Sequence, residues 1–251
     1  MLDILKTIIY FPLLNALVFL YNYIPDIGVV IILLTLLTRI ILAPSHHKSI
    51  KSQQAMTSLQ PKLNELREKF KDDKEAQARE MMNLYKENKV NPFSSCLPLL
   101  IQLPILIGLF YVFRDGLNNH LSGIYSFVHA PETINPYFLN LIDLSKMPVT
   151  GGAWYMLNGQ WYLPGLVLAL ITGLAQFWQS KLMAPKKTAN QDFTQSYMTT
   201  MTVYFMPLMI TYIAFRFPTG LSLYWVITAL FAVAQHYYML RKHPEFKPKA
   251  N

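Results

Sequence analysis

The sequence predicts an all-α integral membrane protein with a five-transmembrane-helix core, and three observations carry that reading. The 251 residues are 53% apolar and 14% charged, where a soluble domain carries about a quarter charged residues. Such charge as there is crowds into residues 46–91 and the last eleven, leaving long stretches almost free of it. Five of those stretches, at 28–44, 97–115, 162–182, 199–216 and 221–240, are long enough to cross about 30 Å of hydrocarbon at about 1.5 Å per residue.

Before the first span, residues 1–27 hold a shorter apolar run at 7–21, with Pro12 and Asn15 inside it and Tyr10, Tyr21 and Tyr23 around it. Tyrosines settle at headgroup level, so the run is expected to lie in the interface as an N-terminal amphipathic helix. A sixth span paired with 28–44 is the other reading. Lys6 precedes the run, but no small-residue cleavage site or modifiable cysteine accompanies it, so no removable signal peptide is expected.

Lysines and arginines orient the spans. After the first span (28–45), the segment 46–91 carries Lys48, Lys51, Lys62, Arg67, Lys69, Lys71, Lys74, Arg79, Lys86 and Lys89. The loop at 183–198 holds Lys186 and Lys187, and the tail at 241–251 holds Arg241, Lys242, Lys247 and Lys249. By contrast, the loop at 116–161 has only Lys146, and the 217–220 turn has none. The two classes alternate, which puts the N-terminus outside and the C-terminus in the cytoplasm. The net charge of +8 therefore fits anionic lipid or ribosomal RNA better than a nucleic-acid-binding domain.

The segment 46–91 has a helical period of its own. Met56, Leu59, Leu63, Leu66 and Phe70 recur at three- and four-residue steps, as do Ala78, Met81, Met82 and Tyr85 after the break Lys71-Asp72-Asp73-Lys74. This predicts a cytoplasmic helical hairpin with Pro61 near a helix start or at a kink.

Arg39 is the residue that needs explaining. It lies eleven residues after Gly28, about 16 Å into the span. A charge at that depth costs at least about 2.5–3.5 kcal/mol unless it faces a bundle interior or a wet cavity. Snorkelling to the cytoplasmic headgroups, two turns away, is the equal alternative. Thr35 is one turn above Arg39 on the same face, and Thr38 is beside it. Gln102 in the second span, Gln176 and Gln179 in the third and Gln235 in the fifth add polar groups at membrane depth. Each alone is more simply a helix-to-helix hydrogen bond; together they suggest a shared wet groove. No Asp or Glu falls within a span except Asp115 at one end, which argues against proton- or cation-coupled transport.

Nothing points to covalent chemistry or to a cofactor. His46 and His47 are adjacent and so do not share a helix face. No HExxH, GxSxG or P-loop pattern occurs, and the single Cys96 supports neither a disulfide framework nor a cysteine metal site. Neither catalytic residues, nor a metal, nor a small-molecule substrate is expected. Pro98 and Pro104 flank Gln102, Pro207 interrupts the fourth span, and Pro218-Thr219-Gly220 makes a tight outer turn.

Several ordered blocks over nearly the whole chain resemble the YidC/Oxa/Alb family of membrane-protein insertases. They are Gly28 to Pro44 with Thr35 and Arg39; Leu59-Gln60-Pro61 and Leu84-Tyr85-Lys86; Asn91-Pro92, Cys96-Leu97-Pro98 and Gln102-Leu103-Pro104; Leu163-Pro164; Met206-Pro207; and Phe217 to Trp225. The resemblance implies a hydrophilic groove open to the cytoplasm and to lipid, closed outside, in a bacterial plasma membrane. Arg39 matches the groove arginine, and Gln179 and Trp225 match lining positions in the third and fifth spans, with Gln176 competing for the former. It further implies insertion of nascent membrane proteins without nucleotide hydrolysis, and ribosome and Sec translocon as partners. Neither the lipid-modified signal nor the large outer domain of many relatives is expected from this sequence, and its short tail weakens the expectation of strong ribosome binding. A membrane chaperone or assembly factor working beside a Sec-type translocon is the main rival reading; a solute transporter is the weaker one.

Overall fold

In this computed structural model, residues 6–91, 97–113, 123–150, 160–184 and 193–242 are described. Cys96, Asp115, Lys186, Lys187 and the distal tail with Lys247 and Lys249 lie outside them. A π-helical turn at Lys6–Tyr10 leads into α1 (Phe11–Tyr23). With that turn the helical run covers 18 residues, 5 and 13, or about 27 Å, close to the thickness of a bilayer's hydrocarbon. It buries Leu14, Leu17, Val18 and Tyr21 and exposes Phe19 and Tyr23. Its buried Asn15 is fully engaged: Nδ2 donates to the carbonyls of Phe11 (2.8 Å) and Gly123 (3.1 Å), and Oδ1 accepts from the Tyr125 amide (2.7 Å).

The second helix, α2 (Ile27–Lys69), is 43 residues long. Asp26 starts it, its Oδ1 accepting from the amides of Gly28 (2.9 Å) and Val29 (3.1 Å) and so satisfying two of the free donors of the first turn. Sequence reasoning ends the first span at 44–45 and gives Pro61 a helix start or a kink. A single helix passes through both Pro44 and Pro61, so it runs on past the expected end of the span and Pro61 does not start a helix. A proline removes one backbone hydrogen bond, and a packed helix survives that where neighbours resupply polar contacts. Nearby, Gln235 Nε2 donates to the Ala43 carbonyl at 3.3 Å, whereas the carbonyl that Pro44 leaves without its helical donor is that of Ile40.

Past a turn at 70–73, Asp73 caps α3 (Lys74–Glu87) through the amides of Glu75 (3.1 Å) and Ala76 (2.9 Å). Gln77 Nε2 donates to the Arg67 carbonyl (2.9 Å) near the turn, and Ser52 Oγ donates to the Asn91 carbonyl (3.2 Å) at the other end. The two helices therefore run antiparallel. On α2, Leu59 and Leu63 are buried. On α3 the half-buried face is Gln77, Met81, Leu84 and Tyr85, whereas Ala78 and Met82 are exposed. The expected α3 stripe is thus rotated by about one residue, because several three- and four-residue registers share the same short sequence.

Next come α4 (Leu97–Tyr111), the strands β1 (Tyr137–Phe138), β2 (Ile142–Asp143), β3 (Val149–Thr150) and β4 (Gln160–Trp161), and then α5 (Leu163–Met183), α6 (Phe193–Thr200), α7 (Met206–Arg216) and α8 (Thr219–Lys242). The strands form two antiparallel pairs, β1–β2 and β3–β4. A π-helical turn at Met201–Phe205 joins α6 to α7 immediately before Pro207, and the chain stays helical there. Among the described residues, four helices are long and apolar enough to cross a membrane: Ile27–Lys69, Leu163–Met183, Ser196–Arg216 and Thr219–Lys242, with a shorter apolar one at Ile101–Tyr111. Their outward faces carry exposed Leu33, Leu37, Ile107, Leu170, Leu174 and Leu208. That is the pattern of an integral membrane protein, whose apolar residues face lipid as well as core. α5 packs most extensively on α8 and α7, and α2 on α8.

One end of this bundle is tied shut by the segment 123–150. The Thr219 amide (2.9 Å) and Oγ1 (2.7 Å) both donate to the Lys146 carbonyl, and the Gly220 amide donates to that of Leu144 (2.9 Å). Asn22 Nδ2 reaches the His129 carbonyl (2.8 Å), and Tyr21 OH accepts from the Asn135 amide (2.9 Å). At the start of α2, Phe138 lies so close that a Cβ on Gly28 would fall 2.0 Å from its ring and 2.6 Å from its own Cβ. That second contact is near backbone, so rotating the ring cannot relieve it. Gly28→Val should therefore lose about 1–3 kcal/mol by overpacking, read as a lowered thermal midpoint of the purified protein in detergent; an unchanged midpoint would contradict this packing.

Candidate functional site

Arg39 does not snorkel. It is 5% exposed, and its guanidinium turns into the bundle between α2, α4 and α8. Nη2 donates to Gln102 Oε1 at 2.6 Å, to Thr228 Oγ1 at 3.3 Å and to Tyr224 OH at 3.5 Å. Nη1 lies 3.2 Å from His46 Nε2. Arginine has only donors to offer, so this contact requires that His46 Nε2 accept, which makes the imidazole neutral. The network closes on itself, since Gln102 Nε2 donates in turn to Tyr224 OH.

All four partners are uncharged. Dipoles hold the charge in place, and hydrogen bonds to a charged group contribute about 1.5–3 kcal/mol each. None of them neutralises it. Among the described residues no carboxylate compensates the cation, which is fixed and partly desolvated, an arrangement that attracts an anionic group.

The remaining expected residues are placed differently. Thr35 is 2% exposed and is not bonded to Arg39. Its Oγ1 donates to the Ile31 carbonyl (2.6 Å), and its own carbonyl accepts from Thr38 Oγ1 (2.8 Å). Between Arg39 and the tied end, Thr35 and Thr38 join Ile31, Leu34, Leu109, Phe113 and Tyr224 around a gap too narrow for a water molecule. Trp225 is 6% exposed and belongs to the apolar core, where it packs without a hydrogen bond to Arg39. Gln176 and Gln179, one turn apart on α5, each keep a buried Oε1 without a partner. Neither is bonded to Arg39 among the described residues. Gln235 serves α2 at Ala43 instead.

Three contacts of the arginine were not singled out from sequence. Tyr224 and Thr228 are four residues apart on α8 and so share a face; the spacing is visible, but which face turns inward is not. His46 is seven residues after Arg39, two helical turns along the same face.

The model of the 60Kd inner membrane protein family matches residues 19–246. The chain belongs to that family. Other proteins resemble it over the same region. Proteins named Membrane protein insertase YidC are 35% identical over 231 residues in Nitratidesulfovibrio vulgaris and 34% identical over 228 residues in Citrifermentans bemidjiense. These alignments cover 92% and 91% of this chain but 38% and 36% of those proteins. A solved structure described as an active YidC insertase with the first transmembrane domain resolved aligns with a TM-score of 0.57 at 27% identity, over 93% of this chain and 46% of that one. The chain thus spans less than half the length of these relatives. As a member of the 60Kd inner membrane protein family with apolar spanning helices, it is a bacterial membrane protein, and the family named from its sequence blocks is the one found.

Tyr224 is the shared acceptor of this network. Tyr224→Phe should cost about 1–3 kcal/mol by leaving buried donors of Gln102 and Arg39 short of a partner, seen as a lowered thermal midpoint. Trp225→Phe, which breaks no hydrogen bond, should leave the Arg39 contacts intact; a loss from Tyr224→Phe no larger than a surface substitution would show that the network is dispensable.

Proposed function

We propose that this chain inserts short-loop membrane proteins into the bilayer, without nucleotide hydrolysis and without a covalent step. The observation that carries the proposal is the buried Arg39 guanidinium held by neutral groups alone. An acidic residue in a substrate's outer tail supplies the missing countercharge, and the attraction is strong because the site is shielded from water. Gln102 positions the arginine, Thr35 lines the packed gap one turn away, Trp225 braces the apolar core, and the free acceptors of Gln179 and Gln176 offer hydrogen bonds to a substrate backbone. As the substrate's own span leaves this groove for lipid, burial of its apolar surface drives completion at about 25 cal/mol per Å².

The orientation follows the lysine and arginine distribution, with the N-terminus outside and the C-terminus cytoplasmic. The tied end then faces outward, and the hairpin of α2 and α3 reaches into the cytoplasm toward nascent chains, the ribosome and a Sec translocon. Contact with nucleic acid is limited to ribosomal RNA. The names of the relatives and of the aligned structure support insertion, though each is a longer protein than this chain.

Liposomes carrying only the purified protein test it, with a single-span substrate whose outer tail is acidic. The intact protein should protect that tail from external protease. Arg39→Ala should reduce protection of the acidic substrate about tenfold, equivalent to about 1.4 kcal/mol, while a neutral-tailed substrate changes little. Equal protection of the acidic substrate by Arg39→Ala would remove the electrostatic step. No protection by the unaltered protein would favour a chaperone acting on spans that a translocon has already inserted.

A further inference from the structure

The β1–β2 hairpin presents a feature that neither the helix core nor Arg39 accounts for. Its strands pair Tyr137 with Asp143 and Phe138 with Ile142, so Leu139, Asn140 and Leu141 form the tip. Leu139 and Asn140 both have positive φ, 51° and 56°. Asparagine tolerates that left-handed region, but a leucine there is sterically costly and uncommon. Both leucines are also exposed, Leu139 at 59% and Leu141 at 75%. Among the described residues, none buries either leucine of this strained tip.

The tip's position is fixed. Asp26, the residue that starts α2, accepts from the Leu139 amide through Oδ2 at 2.8 Å while Oδ1 caps the helix. Phe138 sits directly on Gly28. The tip therefore lies level with the first turn of a membrane-spanning helix, at the boundary of the hydrocarbon. No charged residue occurs from Ile134 to Ile142. The half-exposed ring of Tyr137 flanks the tip, and Trp161 is exposed just before the start of α5, residue types that prefer the bilayer interface.

We infer that the β1–β2 tip is a lipid anchor: Leu139 and Leu141 dip into the interfacial layer of the leaflet at the tied end and hold the covering segment against the bilayer. The occupant is lipid because the tip is level with the start of α2, is free of charge and projects two apolar side chains beside interfacial aromatics. Such burial reaches about 5–10 Å below the headgroups. The left-handed leucine is then explained as the conformation that aims an apolar group outward, with its cost offset by transfer into lipid. This inference rests on α2 spanning the membrane and is independent of whether the protein inserts substrates.

The test uses the full chain with Cys96→Ser, and a single cysteine at Leu141→Cys labelled with the fluorophore NBD. The same label at Glu132→Cys, an exposed charged site of the same segment, is the control. Both are reconstituted in phosphatidylcholine–phosphatidylglycerol vesicles. The label at 141 should emit to the blue of the control, lose about half its fluorescence to lipids spin-labelled high on the acyl chain, and resist aqueous iodide. Equal iodide quenching at 141 and 132 overturns the inference. Protection from iodide without quenching by spin-labelled lipid also overturns it, since protein rather than lipid would then cover the tip.

Discussion

A single cation held by dipoles organises the middle of this protein. Arg39 on α2 binds Gln102 on α4 and Tyr224 and Thr228 on α8, so one guanidinium joins three helices that hydrophobic packing alone would leave free to rotate in lipid. Helix association within a bilayer lacks the usual hydrophobic drive and leans on such polar contacts and close packing. Leaving the charge without a carboxylate has a second consequence. The hydrogen bonds are satisfied, but the field is not cancelled, so the interior of the bundle remains attractive to anions.

The bundle is asymmetric about that cation. Toward the start of α2, apolar side chains close around a gap that excludes water, and backbone hydrogen bonds to the 123–150 segment lock the first turns of α8 and the end of α1. Toward the other end, α2 continues without a break into the hairpin, while the unpaired amide oxygens of Gln176 and Gln179 await partners. Closed on one side and carrying polar groups on the other, such an interior fits the proposed insertion, in which a polar segment enters part of the membrane without a pore through it.

Asp26 shows how few groups are needed to set this asymmetry. One carboxylate oxygen begins α2 and the other fixes the hairpin tip above it. The membrane level of the helix and that of the covering segment are thereby tied to each other, and Phe138 against Gly28 leaves that joint little freedom.

The membrane character and the segregation of charge were legible in the sequence because hydrocarbon penalises every charged residue in a span, whatever its neighbours. Arg39 stood out for the same reason, and Gln102 was correctly associated with it because both are polar at membrane depth. What the sequence left open depends on rotation about helix axes. Tyr224 rather than Trp225 meets the arginine because packing of α8 on α2 and α5 turns that face inward, and two adjacent aromatics do not reveal this. Thr35 shares a face with Arg39 yet satisfies its hydroxyl within its own helix. Pro61 reads locally as a helix start or a kink, but α2 runs through it and through Pro44 without a break. Solvent preference acts on each residue separately and is written in the sequence, whereas helix rotation and continuity follow from contacts between distant residues and emerge only in the folded bundle.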